Sequence, residues 1–204
     1  MHDINEGYEK ILNDFKNNRS ARVKRQVRNV LKLIDIAEGE EILEVGTATG
    51  KFTAMFSKAN HVSALDICED NLKRAKKVVA EMGNPANLVC VPGNCAKMPF
   101  NNDVFDRVMA IDIIEHLTDE TFNMFCKESH RVLKAGGYLY IYTPNLLHPF
   151  ELTRPFRPVM RREHIGVRTR AKICETLKRN NFSIEKSYFN NLFRRISIKA
   201  KKDK

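Results

Sequence analysis

The spacing of apolar residues along the chain changes repeatedly between a helical period and short continuous runs. Residues 22–36 carry apolar side chains at helical spacing, and residues 41–45 form a short apolar run that ends at Gly46. Helices are predicted over residues 22–36, 52–57, 70–82 and 119–133, and strands over residues 41–45, 61–65, 87–91, 105–111 and 137–143. Strands separated by helices indicate parallel pairing with right-handed crossovers.

The last part of the chain follows another order. Residues 168–179 favour a helix, and residues 183–189 and 194–199 favour two strands joined at Asn190-Asn191, a pair that tolerates a tight turn. The expected fold is therefore α/β: a Rossmann-like, doubly wound sheet of seven strands, mostly parallel, with an antiparallel C-terminal hairpin and helices on both faces.

The length of the chain suits a single domain over residues 1–204. Three segments of it are expected to lie outside the alternating helices and strands. Residues 1–36 are expected to form an N-terminal helical segment. Residues 144–167 contain prolines and little periodicity, and a loop of this length in a compact domain is typically a lid. The lysine-rich residues 199–204 are expected to be a flexible, frayed tail.

Composition excludes several classes of protein. Hydrophobic residues make up 43% of the chain and charged residues 29%, as in a globular protein with a sizeable core. The five cysteines contain no CxxC pair, so a disulfide framework and a zinc cluster are not indicated. Neither a signal peptide nor a membrane span is visible, and a cytoplasmic location is expected.

The net charge of +10 comes from the end of the chain. Residues 1–150 contain 19 basic and 20 acidic residues, whereas residues 151–204 contain 16 and 5. A second basic run between residues 16 and 32 has no acid within it. Such runs are either solvated helix faces or sites for an anionic substrate, and both interpretations stay open here.

The strongest local motif is the turn after the first strand, Glu44-Val45-Gly46-Thr47-Ala48-Thr49-Gly50. A glycine turn between a strand and a helix lets a nucleotide-like ligand approach backbone amides. A phosphate-binding P-loop is excluded because only three residues separate Gly46 from the Gly50-Lys51 pair and Phe52 follows it. The dinucleotide pattern GxGxxG is excluded because Ala48 stands at its second glycine.

The remaining pattern, acidic-x-Gly-x-small-x-Gly, resembles that of the class I S-adenosylmethionine-dependent methyltransferases, of the type 11 and ubiquinone-biosynthesis O-methyltransferase-like group. Further segments resemble that family in the right order across residues 22–145. They are Asp66 at the end of the second strand, Gly93 to Ala96 with Met98-Pro99-Phe100, Phe105 to Val108 with Ile111 to Leu117, and Arg131 to Gly137 leading to Pro144.

This resemblance implies S-adenosylmethionine as the cofactor and S-adenosylhomocysteine as its product. Its methionine part would lie by Glu44 and Gly46, its ribose by Asp66, its adenine by Asn94 and Cys95, and its sulfonium above Ile111 and Asp112. The full set of implied cofactor-binding residues is Glu44, Gly46, Thr47, Ala48, Gly50, Asp66, Ile67, Asn94, Cys95, Ile111 and Asp112. Two departures bear on cofactor affinity: Ala48 replaces a glycine, and Asn94 stands where an aspartate is frequent.

A hydroxyl or ammonium acceptor needs a base, and the candidates are His116, just past the fourth strand, and His148 and His164 in the lid. The structural alternative for any one histidine is a local hydrogen bond. An acidic-x-x-Glu-His turn also resembles that of the ubiquinone O-methyltransferases, which have an associated divalent metal. A metal site at Asp112, Glu115 and His116 is therefore an alternative, and the preferred interpretation has no metal.

The predicted function is methyl transfer to a small or medium anionic metabolite at oxygen, nitrogen or carbon. The expected substrate-binding residues lie in the basic lid: Arg154, Arg157, Arg161, Arg162 and His164, with Arg168 and Arg170 beyond it. The alternatives are an RNA or DNA methyltransferase, which the charge favours, and a non-catalytic protein that binds the cofactor. The assembly is expected to be a monomer or homodimer.

Overall fold

The computed structural model describes residues 21–83, 85–152 and 164–203. The helices are α1 (Ala21–Leu33), α2 (Lys51–Phe56), α3 (Glu69–Glu81), α4 (Asp119–Val132), α5 (Pro149–Leu152) and α6 (Arg170–Arg179), with two 3-10 turns at Pro85–Asn87 and Ile114–His116. The strands are β1 (Glu41–Val45), β2 (His61–Asp66), β3 (Leu88–Pro92), β4 (Phe105–Ile111), β5 (Leu133–Pro144), β6 (Phe182–Asn190) and β7 (Arg195–Lys202).

These strands form a seven-stranded sheet in the order β3-β2-β1-β4-β5-β7-β6. The pairs among β1 to β5 are parallel, whereas β7 is antiparallel to both β5 and β6. The predicted fold class is confirmed, including the C-terminal hairpin. Because β7 runs against β5, its first residue, Arg195, pairs with Pro144 at the edge where the parallel strands end.

Two apolar clusters cover the two faces of the sheet, since successive strand residues point to opposite sides. Ile42 joins the cluster under α1 and α2, with Val30 and Phe56, and the next residue, Leu43, joins the opposite cluster. Phe122 in α4 and its neighbours in α6 pack on that opposite face. The carboxyl ends of β1, β2 and β4 are thereby left uncovered by helices, which is where ligands bind in open α/β sheets.

The sequence predicted a frayed tail at residues 199–204. The structure places residues 199–202 in a strand, and the prediction is wrong for these residues. Lys199, Lys201 and Lys202 belong to β7, which lies inside the sheet between β5 and β6. Lys199 is only 4% exposed, and its ammonium group lies 3.0 Å from a carboxylate oxygen of Asp35 and 2.8 Å from one of Glu185. Lys199 and Lys202 therefore pair with acidic residues from other parts of the fold, Lys202 with Asp103 at 2.7 Å.

None of the helices in the described part of the chain is long and apolar enough to cross a membrane.

Candidate functional site

The glycine turn after β1 depends on left-handed backbone at Gly46, Ala48 and Gly50, whose φ angles are 78°, 44° and 70°. A Cβ atom at Gly46 would lie 2.9 Å from Cδ1 of Ile113, and one at Gly50 would lie 2.5 Å from Cα of Ala75. Both glycines are thus required by conformation and by space. The side chain of Ala48 is exposed, so its departure from glycine costs backbone strain rather than a clash.

Asp66 ends β2 directly beside this turn. Its carboxylate accepts hydrogen bonds from Oγ1 of Thr47 and the amide of Ala48, both at 3.3 Å, and from the amide of Cys68 at 2.9 Å. The side chain is 7% exposed. The carboxylate therefore holds the turn in place and is also a fixed acceptor on the wall of the neighbouring cleft.

That cleft has a volume of about 280 Å³ and lies between the ends of β1, β2 and β3 and the segment after β4. This volume is close to the lower end of the range for small-ligand pockets, about 300 Å³. Its lining is mainly apolar with a few polar groups: Val45, Gly46, Leu65, Asp66, Ile67, Gly93, Asn94, Cys95, Ile113, His116, Leu117 and Thr121. Apolar walls with one carboxylate and one amide suit an adenosine moiety, whose base is apolar on its faces and whose ribose donates hydrogen bonds.

The cleft brings together about half of the residues that the sequence analysis assigned to the cofactor. Gly46, Asp66, Ile67, Asn94 and Cys95 line it, and so does His116, which was predicted as a base. The other assigned residues are not among those that line the cleft: Glu44, Thr47, Ala48, Gly50, Ile111 and Asp112. Thr47, Ala48 and Gly50 belong to the turn, Glu44 and Ile111 lie in β1 and β4, and Asp112 follows β4.

Glu44 lies behind the turn and is 2% exposed. Burial raises the pKa of its carboxyl from 4.5 to about 8, while a hydrogen bond from Oγ1 of Thr53 partly opposes that rise. The nearby Lys51 also lowers this pKa, and Asp66 raises it. Glu44 therefore holds its proton in the folded protein at neutral pH and acts as a neutral carboxyl beneath the turn.

Asn94 makes the predicted adenine-contacting segment turn back on itself. Its Oδ1 accepts a hydrogen bond from the amide of Ala96 at 2.8 Å, and its carbonyl accepts one from the amide of Lys97 at 3.0 Å. An aspartate would make the same turn, so asparagine keeps the shape of the segment and removes one negative charge from the cleft.

Asp112 follows β4 with a left-handed backbone, at φ 53°. Its carboxylate forms an ion pair with Nη1 of Arg195 and accepts a hydrogen bond from Gln26 at 2.5 Å. Gln26 in turn accepts a hydrogen bond from Nζ of Lys51 at 2.7 Å. Both oxygens of the Asp112 carboxylate are therefore bound by groups of the protein, the guanidinium of Arg195 and the side-chain amide of Gln26.

The alternative metal set of Asp112, Glu115 and His116 is not assembled as predicted. Among the residues that the structure describes, Glu115, His116 and His164 have potential ligand atoms within 4.8 Å of one another, and Asp112 is outside that group. The rings of His116 and His164 meet edge to face with centroids 5.0 Å apart. Oγ1 of Thr143 donates to Glu115 at 2.9 Å, and burial, with the charge of Asp112, raises the pKa of Glu115.

The remaining predicted residues lie in the lid or next to it. Nδ1 of His148 accepts a hydrogen bond from the amide of Phe150 at 3.2 Å, which gives this histidine a role in starting α5. The four predicted lid arginines, Arg154, Arg157, Arg161 and Arg162, lie outside the described residues. Arg168 is 5% exposed and donates to backbone carbonyls, so the structure assigns it to the protein interior and not to a substrate.

The sequence analysis missed Ile113, Leu117 and Thr121, which line the cleft just beyond Asp112. The apolar side chains of Ile113 and Leu117 in the segment after β4 were the available signal, whereas Thr121, within α4, offered none. It also missed Gln26 and Arg195, which reach Asp112 from α1 and from the start of β7. Only the antiparallel course of β7 could have indicated that Arg195 lies at this edge.

Comparisons with known proteins agree with this geometry. Residues 43–141 match the model of a methyltransferase domain. The chain is 26% identical over 171 residues to phosphoethanolamine N-methyltransferase 1 of Zea mays, covering 83% of this chain and 34% of that protein. It is 31% identical over 107 residues to the ubiquinone/menaquinone biosynthesis C-methyltransferase of Vibrio parahaemolyticus, covering 50% of this chain and 40% of that protein.

A solved structure, an S-adenosylmethionine-dependent methyltransferase from Methanosarcina mazei, has the same fold with a TM-score of 0.68. The two chains are 19% identical, and the likeness covers 86% of this chain and 97% of that one. Residues 43–141 of this chain belong to the methyltransferase domain family, and this match, with the relatives named above, confirms the predicted S-adenosylmethionine-dependent methyltransferase and its cofactor. The methyltransferase spans about a third of the length of its maize relative, at 34%.

Proposed function

We propose that this methyltransferase transfers the methyl group of S-adenosylmethionine to an oxygen, nitrogen or carbon atom of a small or medium anionic metabolite. The observation that carries the proposal is the cleft of about 280 Å³ at Asp66, which lies next to an arginine-rich edge of the sheet. The net charge of +10 supports an anionic acceptor. So does the name of the maize relative, since phosphoethanolamine carries a phosphate group.

The cofactor supplies a methyl group that is already activated by the sulfonium, and the protein has to align the acceptor and exclude water. In this proposal Gly46 and Asp66 hold the cofactor against the apolar wall formed by Ile113 and Leu117. His116, on the cleft wall, is the first candidate to take the proton of a hydroxyl or ammonium acceptor, and His148 at the start of α5 is the second.

The test is to incubate the protein with methyl-labelled S-adenosylmethionine and a fractionated extract of the source organism. We expect label in a fraction of small molecules that binds an anion exchanger. Asp66→Ala should abolish the labelling, and Asp70→Ala should not, because Asp70 is exposed and pairs with Lys73 on the surface of α3.

Each other outcome points to another function. Label found only in nucleic acid would favour an RNA or DNA methyltransferase, and this result would contradict the metabolite proposal. Tight cofactor binding without transfer to any fraction would favour a non-catalytic protein. Labelling by the Asp66→Ala variant at the wild-type rate would show that the activity does not depend on the cleft at Asp66.

A further inference from the structure

A second, shallow pocket lies beside the cofactor cleft at the same edge of the sheet, and its cavity volume of about 20 Å³ has room for a group the size of one water molecule. Its lining comes from α1, β5 and the β6–β7 hairpin: Arg25, Gln26, Tyr142, Asn191, Arg194 and Arg195. Three of these residues are arginines, and none of the lining residues that the structure describes is acidic. The sequence analysis placed the substrate-binding arginines in the lid. Arg25 belongs to the basic run between residues 16 and 32, which was left open as either a solvated helix face or a site for an anionic substrate, and Arg194 and Arg195 were assigned no role.

The antiparallel strand β7 explains how two of the arginines arrive here. Arg195 pairs in register with Pro144, the last residue of β5, so the start of β7 meets the carboxyl ends of the parallel strands. The guanidinium of Arg194 stacks over the ring of Phe150, 4.5 Å from its centroid. The fold thus fixes both guanidinium groups at the edge where class I methyltransferases bind their ligands.

The neutral polar side chains of the pocket are held by hydrogen bonds. Asn29 donates from its amide to Oδ1 of Asn191 at 3.1 Å and to the hydroxyl of Tyr142 at 3.5 Å. Asn29 is 9% exposed and Tyr142 is 1% exposed, so this network is part of the interior. A rigid neutral wall beside several guanidinium groups is pre-organised for an anion.

The carboxylate of Asp112 sets the position of Arg195. One of its oxygens pairs with Nη1 of Arg195, and the other accepts a hydrogen bond from Nε2 of Gln26. Arg195 also lies over the ring of Tyr142, with its central carbon 5.5 Å from the ring centroid. These contacts hold the guanidinium group of Arg195 in place at the pocket.

We propose that this pocket binds the oxyanionic group, a phosphate or a carboxylate, of the methyl acceptor. Arginine binds both groups through parallel hydrogen bonds. Asp112 is followed directly by Ile113, which lines the cofactor cleft, so an acceptor anchored in the pocket would extend toward the cofactor. The inference rests on the proposed function, since the anion is assigned to the substrate of that transfer.

Calorimetric titration with inorganic phosphate and with acetate, at constant ionic strength and without cofactor, tests the pocket on its own. We expect the wild-type protein to bind at least one of the two probes, and the stronger one identifies the preferred group. Arg25→Gln and Arg195→Gln should each weaken that binding about tenfold, as the loss of one charge-assisted hydrogen bond predicts. Arg179→Gln should leave it unchanged, because Arg179 is exposed on α6 and pairs with Glu175.

Arg25→Gln is the decisive variant, because Arg195→Gln also leaves Asp112 without its ion pair and could disturb folding. Wild-type affinity for both probes in Arg25→Gln would overturn the inference, and so would an equal loss in Arg179→Gln or failure of the wild-type protein to bind either probe. A separate titration with S-adenosylmethionine distinguishes the two proposals. Failure of the wild-type protein to bind S-adenosylmethionine would contradict the proposed function. Normal binding of S-adenosylmethionine together with failure to bind phosphate and acetate would contradict only the proposal for this pocket.

Discussion

Nη2 of Arg168 lies 2.9 Å from the carbonyl oxygen of Leu117, and this contact joins the segment before α6 to the loop that forms one wall of the cofactor cleft. The same guanidinium donates to the carbonyl of Ile114 at 2.8 Å and to Asp119 at 2.9 Å. Gly166 is bound to the same loop, since its amide donates to the carbonyl of Glu115 at 2.8 Å. An arginine that the sequence placed among the substrate ligands is therefore an internal clamp.

Replacement of this arginine should destabilise the protein. Arg168→Met removes the hydrogen bonds to the carbonyl oxygens of Ile114, Gly166 and Leu117 and the ion pair with Asp119, and we expect the free energy of unfolding to fall by about 3 kcal/mol. Arg179→Met, on the exposed face of α6, should change it by less than about 0.5 kcal/mol. Urea denaturation measures both. Equal stability of the two variants would show that the clamp contributes little.

The two glycines Gly50 and Gly83 provide a matched pair for the turn after β1. Both have a positive φ, at 70° and 80°, but a Cβ atom at Gly83 would meet nothing within 4 Å. Gly83→Ala should therefore cost only the backbone strain, about 1 kcal/mol. Gly50→Ala adds a clash with the backbone of Ala75 and should cost about 3 kcal/mol or more.

Thermal or urea unfolding of the two variants gives the difference directly. The cofactor affinity of Gly83→Ala should match that of the wild-type protein, because Gly83 lies beyond the end of α3 and far from the turn in sequence. If Gly50→Ala is as stable as Gly83→Ala, the close packing of α2 on α3 at Ala75 does not constrain the turn.

The sequence predicted best those features whose causes are local. The glycine turn, Asp66 and the alternation of helices and strands follow from residue type and spacing, and the structure places them together. The β7 lysines were misinterpreted because a lysine run is typical of a frayed end. Lys199 is buried only because Asp35 and Glu185 approach it from elsewhere in the fold.

The same reason explains the site residues that the sequence did not reveal. Arg195 is 83 positions from Asp112, and Gln26 is 86 positions from it. No spacing rule connects such residues, since their contact depends on the order and direction of the strands. Asp112 itself was predicted to lie beneath the cofactor from its place after β4, but its hydrogen-bond partners were not predictable.

Cofactor affinity should depend on Asp66 more than on any neighbouring surface acid. Asp66→Ala removes the carboxylate that accepts from Thr47 and Ala48 and lines the cleft, so we expect S-adenosylmethionine to bind about 10- to 100-fold more weakly. Asp70→Ala is the control, since Asp70 lies one turn further on, exposed and paired with Lys73. Calorimetry with the cofactor gives both constants. If Asp66→Ala binds S-adenosylmethionine with the wild-type affinity, Asp66 does not contribute to the cofactor site.

Stability should fall as the pH rises, because of Glu44. Burial raises the pKa of its carboxyl from 4.5 to about 8 in the folded protein. Between these two pH values the folded state holds a proton that the unfolded state has released, so the free energy of unfolding decreases as the pH rises from about 4.5 to about 8. The raised pKa of Glu115 acts in the same direction.

Glu44→Gln isolates the contribution of Glu44, because an amide does not titrate and its oxygen can still accept the hydrogen bond from Thr53. Where the slope is steepest, we expect the variant to lose up to about 1.4 kcal/mol per pH unit of the wild-type dependence. Glu69→Gln, at the exposed start of α3, should keep the wild-type slope. Urea denaturation at several pH values between 5 and 8 measures these slopes, and identical slopes in Glu44→Gln and wild type would mean that Glu44 is ionised in the folded protein throughout this range.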